Sequence, residues 1–355
     1  MRRVFPLLVF VLLAPAGRAE IKSDEEVVFF PTAAWRDGAT WVVPIHGWIY
    51  EPERDSGWRR EVIEEVQEHL EVAPDSPDGR RCAERARRFL VDNERGKEIS
   101  IRIGGRVHTL PESGANGHFE GTVRLPANRI ERHARRGVLE FQAITTARDG
   151  RRFAGRVLLP PREGVSVISD IDDTIKVSEV LDRDALLRHT FARPFEAVPG
   201  MAPAYAAWAR EGASFHFVSS SPWQLYPPLE AFRADAGFPA AAFHLKSVRL
   251  KDRTLLNLFK DSLETKPPVI RAILQRWPHH RFLLVGDSGE QDPEVYGLIA
   301  REYPQRIVHV FIRRVAGAAN GEKRFAKAFR GLPPDRWTVF SDATALKPAF
   351  TERER

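Results

Sequence analysis

Cysteine is almost absent: the chain of 355 residues holds one, Cys82. That excludes an internal disulfide framework and any multi-cysteine zinc or iron–sulfur site. No histidine stands near Cys82 in sequence, so a packed core residue is expected there rather than a nucleophile. Long apolar runs are missing beyond the first twenty residues, so the body carries no transmembrane helix. A dense basic arm is missing too, and the net charge is only +6. Nucleic acid is therefore not expected as a partner. What remains is ordinary for a globular chain: 43% hydrophobic and 29% charged residues. The length suggests two domains.

The first residues read as an address. Arg2 and Arg3 precede the apolar stretch Val4 to Leu13, and small residues follow. This is the pattern of a secretory signal, with cleavage after Ala16 or Ala19. Removing residues 1–19 leaves 51 basic against 48 acidic residues, a net charge of +3. The expected location is outside the cytoplasm, periplasmic or extracellular, with a peripheral membrane contact.

Residues 20–161 read as β-rich. Strands are expected at Val27–Phe30, Thr40–Tyr50, Ile99–Ile103, Val107–Leu110, His118–Leu125, Gly137–Ile144 and Arg152–Leu159. Gly104-Gly105 and Asp149-Gly150 are hairpin signals between them. Short strands with such punctuation suggest a β-sandwich, and Trp41 and Trp48 are expected in its core. Two helical patterns, Ser56–Val72 and Asp78–Asn93, interrupt it. After Pro160-Pro161 the pattern changes. Strands at Val165–Ile168, Ser214–Val218, Phe282–Val285 and Ile307–Ile312 alternate with helices, which predicts a Rossmann-like parallel sheet over 162–345, with 346–355 as a tail. His279-His280 has no partner at metal spacing and is expected at the surface.

Ligands of such sheets bind at the carboxyl ends of the strands. The polar residues cluster there. Asp170-Ile171-Asp172-Asp173-Thr174 directly follows a buried strand, and so many acids on one turn need a cation or hydrogen bonds to offset their repulsion. Ser219 ends a second strand and could hold a phosphoryl oxygen. Lys266, before Pro267-Pro268, could neutralise phosphate. Asp287 and Asp292 share a glycine-containing loop and suit a hard cation with oxygen ligands.

In this order, Asp-x-Asp-x-Thr, Ser, Lys and Gly-Asp-x-x-x-x-Asp resemble the haloacid dehalogenase superfamily of aspartate-nucleophile phosphatases. From Val165 to Val315 a closer resemblance appears. Asp170–Lys176, Arg193–Met201, Ser221–Tyr226 and Gly286–Glu294 look like the actin-patch-associated phosphatidate phosphatase family. Thr265 stands where that family is expected to carry histidine. The resemblance implies magnesium-dependent removal of phosphate from phosphatidate and related lipids. Asp170 would be the nucleophile and Asp172 the acid and base. Asp170, Asp287 and the Asp172 carbonyl would bind Mg2+, with Asp292 orienting the metal shell or binding through water. Ser219 and Lys266 would hold phosphoryl oxygens, and Thr174 would fix the first loop. Asp173 could be a structural turn acid or a participant.

The expected substrate is a phosphorylated lipid at a membrane surface, since no separate cap domain is visible. The alternatives are a nucleotide, a sugar phosphate or a phosphoprotein. A non-catalytic envelope protein binding lipid or glycan would lack at least one chemical residue, and none is missing. Protein partners are not indicated. Arg313–Arg330 holds six basic residues against one acid. Its Phe325 and Phe329 predict a terminal helix packed on the sheet, with a weak contact to anionic lipid as the alternative.

Overall fold

The computed structural model describes residues 21–52, 56–248, 264–317 and 321–346. Residues 1–19, where a secretory signal is expected, and residues 347–355 of the expected tail lie outside the described residues. The first part runs β1 (Glu26–Phe30), β2 (Thr32–Ala33), β3 (Trp35–Asp37), β4 (Thr40–Glu51), α1 (Gly57–His69), α2 (Pro77–Arg87), β5 (Asp92–Asn93), β6 (Ser100–Ile103), β7 (Arg106–Thr109), β8 (His118–Pro126), α3 (Ala127–His133), β9 (Val138–Ala143) and β10 (Ala154–Leu158). The long strand β4 pairs with β1, β3, β5 and β8, and a second sheet runs β2-β10-β9-β6-β7. One core, including Val43, Ile45, Ile101, Leu139, Phe141 and Val157, joins the two sheets. β9 shows the cause: in Val138–Ala143 every second residue is buried, because successive side chains leave a strand on opposite faces. Gly104 and Gly105 both have positive φ, 54° and 75°, as the tight turn between β6 and β7 requires.

The second part runs β11 (Gly164–Ser169), α4 (Arg183–Leu187), a π-helical turn over Arg188–Ala192, α5 (Met201–Arg210), β12 (Ser214–Pro222), α6 (Tyr226–Asp235), β13 (Ala242–Lys246), α7 (Lys266–Arg276), β14 (His280–Asp287), α8 (Asp292–Glu302), β15 (Ile307–Arg313), α9 (Glu322–Ala328) and β16 (Trp337–Phe340). The sheet order is β13-β12-β11-β14-β15-β16. Every pair in it is parallel. Helices cover both faces, so β11, β12 and β14 are near-continuous buried runs. The chain leaves β11 toward β12 on one side and returns to β14 on the other. The carboxyl ends of β11 and β14 therefore flank the point where strand order reverses, the crevice in which open α/β sheets bind ligands.

The two parts share a core. α1 and α2 are inserted in the β-rich part, yet Val62, Ile63, Cys82, Ala86 and Phe89 belong to one buried cluster with Phe191, Tyr205, Phe215 and Phe217 of the second part. Cys82 is fully buried, and burial pushes its thiol up to about 11. Of the two tryptophans, Trp41 packs inside the sandwich, whereas Trp48 joins the shared cluster. His279 is exposed, but His280 is fully buried, against expectation. Its Nε2 lies 2.8 Å from the Pro161 carbonyl oxygen and its Nδ1 2.8 Å from Ser166 Oγ. The carbonyl can only accept, so Nε2 carries the proton and Nδ1 accepts from the serine hydroxyl. The ring thus ties the connection between the two parts to the start of β11 and β14.

A second seam is lined by histidines. His46 Nε2 and His118 Nδ1 are 3.0 Å apart, and His216 Nδ1 and His244 Nε2 are 3.3 Å apart. Trp223, just past β12, packs on His46 and on Phe30.

Candidate active site

The crevice gathers carboxylates from two strand ends, β11 and β14, and serines from a third, β12. Asp170 follows β11, and its backbone N–H donates to the Val285 carbonyl at 2.9 Å, which locks the ends of β11 and β14 together. Asp170 is 1% exposed, with its Oδ1 3.0 Å from Lys266 Nζ. Thr174 Oγ1 stands 3.5 Å from Asp170 Oδ2, at the base of the same turn. Asp287 closes β14 and is fully buried. Its Oδ1 accepts from the N–H of Gly289 at 2.6 Å and of Glu290 at 3.0 Å, whereas its Oδ2 has no partner.

Asp172 lies in a different environment. Its Oδ1 is 2.8 Å from both Lys176 Nζ and Ser178 Oγ. Its Oδ2 accepts from Ser221 Oγ at 2.9 Å and faces Ser219 Oγ at 3.3 Å. Burial alone would raise this carboxyl, but the Lys176 ammonium and the hydroxyls hold it at about 2. Asp173 is turned away at a φ of 50°. Its carboxylate accepts from the N–H groups of Ser178, Glu179 and Val180 at 2.9, 3.0 and 2.7 Å. It is a turn acid, committed to backbone. Lys176 and Ser221 were marked only by their places in long motifs, and Ser178, two residues past the first motif, was not marked at all.

Lys266 opens α7 and is the cation beside Asp170. Besides Asp170, its Nζ meets Asp292 Oδ1 at 2.6 Å and Glu290 Oε2 at 3.1 Å. The Asp292 carboxylate also accepts from the Asp287 N–H at 3.2 Å. Gly286 has no room for a side chain, because a Cβ there would collide with that carboxylate. The Asp292 contacts are thus to Lys266 and to backbone. Among the described residues, the three-carboxylate group close enough to share one ion is Asp170, Asp287 and Glu290. Glu290 was not foreseen. Its direction is set by the turn that Asp287 Oδ1 imposes on Gly289 and Glu290, which residue spacing does not reveal.

Charge in the crevice is unbalanced. Burial raises Asp170 and Asp287 well above the usual carboxylate range, although Lys266 opposes it, and neighbouring acids add to the rise. Glu290 is raised for the same reason. Three raised carboxylates and an unpartnered Asp287 oxygen fit a small hard cation, which takes oxygen ligands and keeps several waters. The loop that would hold it is braced from behind. Arg324 of α9 donates to the carbonyls of Ser288 and Glu290, both at 2.6 Å, and pairs with Glu294 at 2.9 Å. Arg313 donates to the Asp173 carbonyl at 2.6 Å. Phe325 and Phe329 are buried against the sheet, as expected. Part of the basic run thus supports the site, while Lys323, Lys327 and Arg330 remain exposed.

The second part thus presents a parallel sheet with an aspartate just past its central strand, a second acid two residues on, and a lysine and an acidic loop on neighbouring elements, the arrangement that the resemblance to haloacid dehalogenase-like phosphatases implies. Residues 165–314 match the family model described as "Phosphatidate phosphatase APP1, catalytic domain". The phosphatidate phosphatase APP1 of Saccharomyces cerevisiae is 34% identical over 155 residues, 42% of this chain and 26% of that protein. An uncharacterized protein of Schizosaccharomyces pombe is 30% identical over 168 residues, 46% of this chain and 27% of that one. The chain therefore spans about a quarter of the length of the curated relatives it matches. Among solved structures, a D,D-heptose 1,7-bisphosphate phosphatase from B. bronchiseptica, complexed with magnesium and phosphate, aligns with a TM-score of 0.31 at 16% identity, covering 51% of this chain and 95% of that one.

Proposed function

We propose that the protein is a magnesium-dependent phosphatase that hydrolyses a phosphate monoester through an aspartyl-phosphate, with phosphatidate or a related lipid as substrate. The observation that carries this reading is the contrast between Asp170 and Asp172, two buried acids two residues apart in opposite surroundings. Asp170 faces the cation-fitting oxygens and Lys266. Asp172 is held as a carboxylate by a lysine and hydroxyls.

Asp170 attacks phosphorus, and the bond from phosphorus to the leaving oxygen breaks. Asp172, a carboxylate at rest, takes up one proton from solvent as the substrate dianion enters and raises its proton affinity, and passes that proton to the leaving oxygen. Water then attacks the phosphorus and gives its proton to Asp172. The bond from Asp170 to phosphorus breaks, so the carboxylate and inorganic phosphate are restored. Lys266 and Ser219 hold the equatorial oxygens, where charge is spread in the transition state. Asp170, Asp287 and Glu290 would hold Mg2+, with Asp172 contributing its carbonyl and Asp292 orienting Lys266. The ion, when bound, neutralises charge as carboxylate meets phosphate.

The lipid reading is supported by the family match and by the name of the yeast relative. No helix among the described residues is long and apolar enough to cross a membrane, so the substrate would be met at a surface. The residue 1–19 pattern supports export. The test is inorganic phosphate release from phosphatidate in mixed micelles beside soluble nucleotides and sugar phosphates, with and without Mg2+. Faster turnover of phosphatidate is expected. A preference for the soluble monoesters would remove the lipid, and full activity after exhaustive chelation would remove the metal.

A further inference from the structure

The inserted hairpin α1–α2 does more than share a core with the catalytic part. Arg85 of α2 is buried, and among the described residues no carboxylate is bonded to it. Burial draws its guanidinium down to about 10. Its Nη1 donates to the carbonyls of Thr190 at 2.8 Å and Arg193 at 2.9 Å, and its guanidinium carbon lies 3.8 Å from the centre of the Phe195 ring. Lys176 Nζ lies over the same ring at 4.9 Å. One aromatic ring is thus shared by two buried cations, one from the inserted hairpin and one bonded to Asp172.

Backbone contacts tighten the connection. The Val177 N–H donates to the Glu196 carbonyl and the Val198 N–H to the Ile175 carbonyl, both at 2.9 Å, so the segment carrying Phe195 is laced to the segment carrying Lys176. Lys176 in turn grips Asp172 Oδ1. We propose that Arg85 is a positioning residue for Asp172, acting through Phe195 and Lys176, so that the hairpin is a working part of the active site. This rests on the phosphatase reading above for its kinetic consequence. Its structural consequence, order in residues 175–178, stands without it. The physical basis is that a desolvated cation over a ring face fixes both partners more firmly than it would in water.

The test uses the full chain with Arg85→Met, Phe195→Leu, Lys176→Met and the Arg85→Met/Lys176→Met double variant. Arg85→Met and Phe195→Leu should each lower kcat roughly tenfold or more with KM little changed, because small misplacements of a reacting group are felt in the chemical step. In the Lys176→Met background, Arg85→Met should cost nothing further. Amide exchange at Val177 and Ser178 should quicken in Arg85→Met, and Arg85→Lys should restore part of both effects. Unchanged kcat in Arg85→Met and Phe195→Leu, or losses that multiply in the double variant, would overturn the proposal. Should the unaltered chain hydrolyse no phosphomonoester, the phosphatase reading falls, and the exchange rates alone decide the coupling. Unaltered exchange in Arg85→Met then refutes it.

Discussion

Asp170 and Asp172 differ by two positions and by opposite pressures on their protons, and single substitutions should separate them. Asp170→Asn should abolish turnover without unfolding the chain, since an amide is a far poorer nucleophile. Asp172→Asn should still permit a burst of leaving group from an activated ester but stall afterwards, detectable as a trapped phosphoryl group by mass spectrometry. Near-normal steady-state rates in either variant would contradict the assignment. Glu290 and Asp292 also divide. Both are acids of one loop, but Glu290 faces Asp170 and Asp287, while Asp292 meets Lys266 and backbone. Glu290→Gln should raise the Mg2+ concentration needed for half-maximal activity. Asp292→Asn should instead lower kcat at saturating Mg2+, because Lys266 loses its nearest anchor. Identical metal titrations for Glu290→Gln and the unaltered chain would remove Glu290 from the ion's shell.

At the scale of elements, α9 and the loop after β14 form a unit. Arg324 reaches two loop carbonyls, and outer partners of metal ligands commonly matter 10–100-fold for affinity, a rough guide for this site. Arg324→Leu is therefore expected to weaken Mg2+ activation about tenfold, with a small change in melting temperature. An unchanged metal titration would show that the loop holds its shape unaided. The sequence was most legible at this scale wherever an element announced its own environment. β11, β12 and β14 are apolar runs that end in the reacting residues, so their place in a parallel sheet and the site at their ends could be read directly. β13 and β16 were not placed individually. Ala242–Lys246 is short and mixed, and Trp337–Phe340 follows two prolines, so neither has a pattern long enough to distinguish an edge strand from a loop. The packing of α2 was illegible for another reason. An amphipathic stripe such as Cys82, Ala83 and Ala86 looks the same whichever core receives it, and only the fold shows that it meets Phe191 and not the sandwich.

For the whole molecule, the histidine seam sets the response to acid. Burial lowers all four imidazoles: His118 to about 4, His244 to about 3, and His46 and His216 well below their ordinary 6.5. The charges facing them are Glu120, 3.7 Å from His46, and Arg276, which disfavours protonation of His216 and His244. Between about 3 and 6.5 these histidines bind more protons in the unfolded chain than in the folded one, so their contribution to stability falls as pH drops through that window, while the raised crevice carboxylates act in the opposite sense. In a melting series from pH 8 to pH 4 the seam should contribute a steepening loss below about 6.5, read as the difference between the unaltered chain and a histidine variant. His118→Phe should flatten that decline, and an unchanged pH profile in this variant would remove the seam as its cause. Binding of Mg2+ should raise the melting temperature, since the ion favours the folded crevice over the unfolded chain.

The edge of the parallel sheet has one more consequence. β13 is the outermost strand, and the β-rich part lies along it: the Phe243 N–H donates to the Pro31 carbonyl at 3.2 Å, and Phe30 packs on Trp223 and Tyr226. A strand left open at a sheet margin is a template for pairing with another molecule. Trimmed to residues 162–346, the chain would keep its complete set of crevice carboxylates and yet bare that template together with the aromatic patch beside it. Self-association of the trimmed chain, visible as concentration-dependent light scattering, is the expected result, and a monomeric trimmed chain would show that the edge needs no cover.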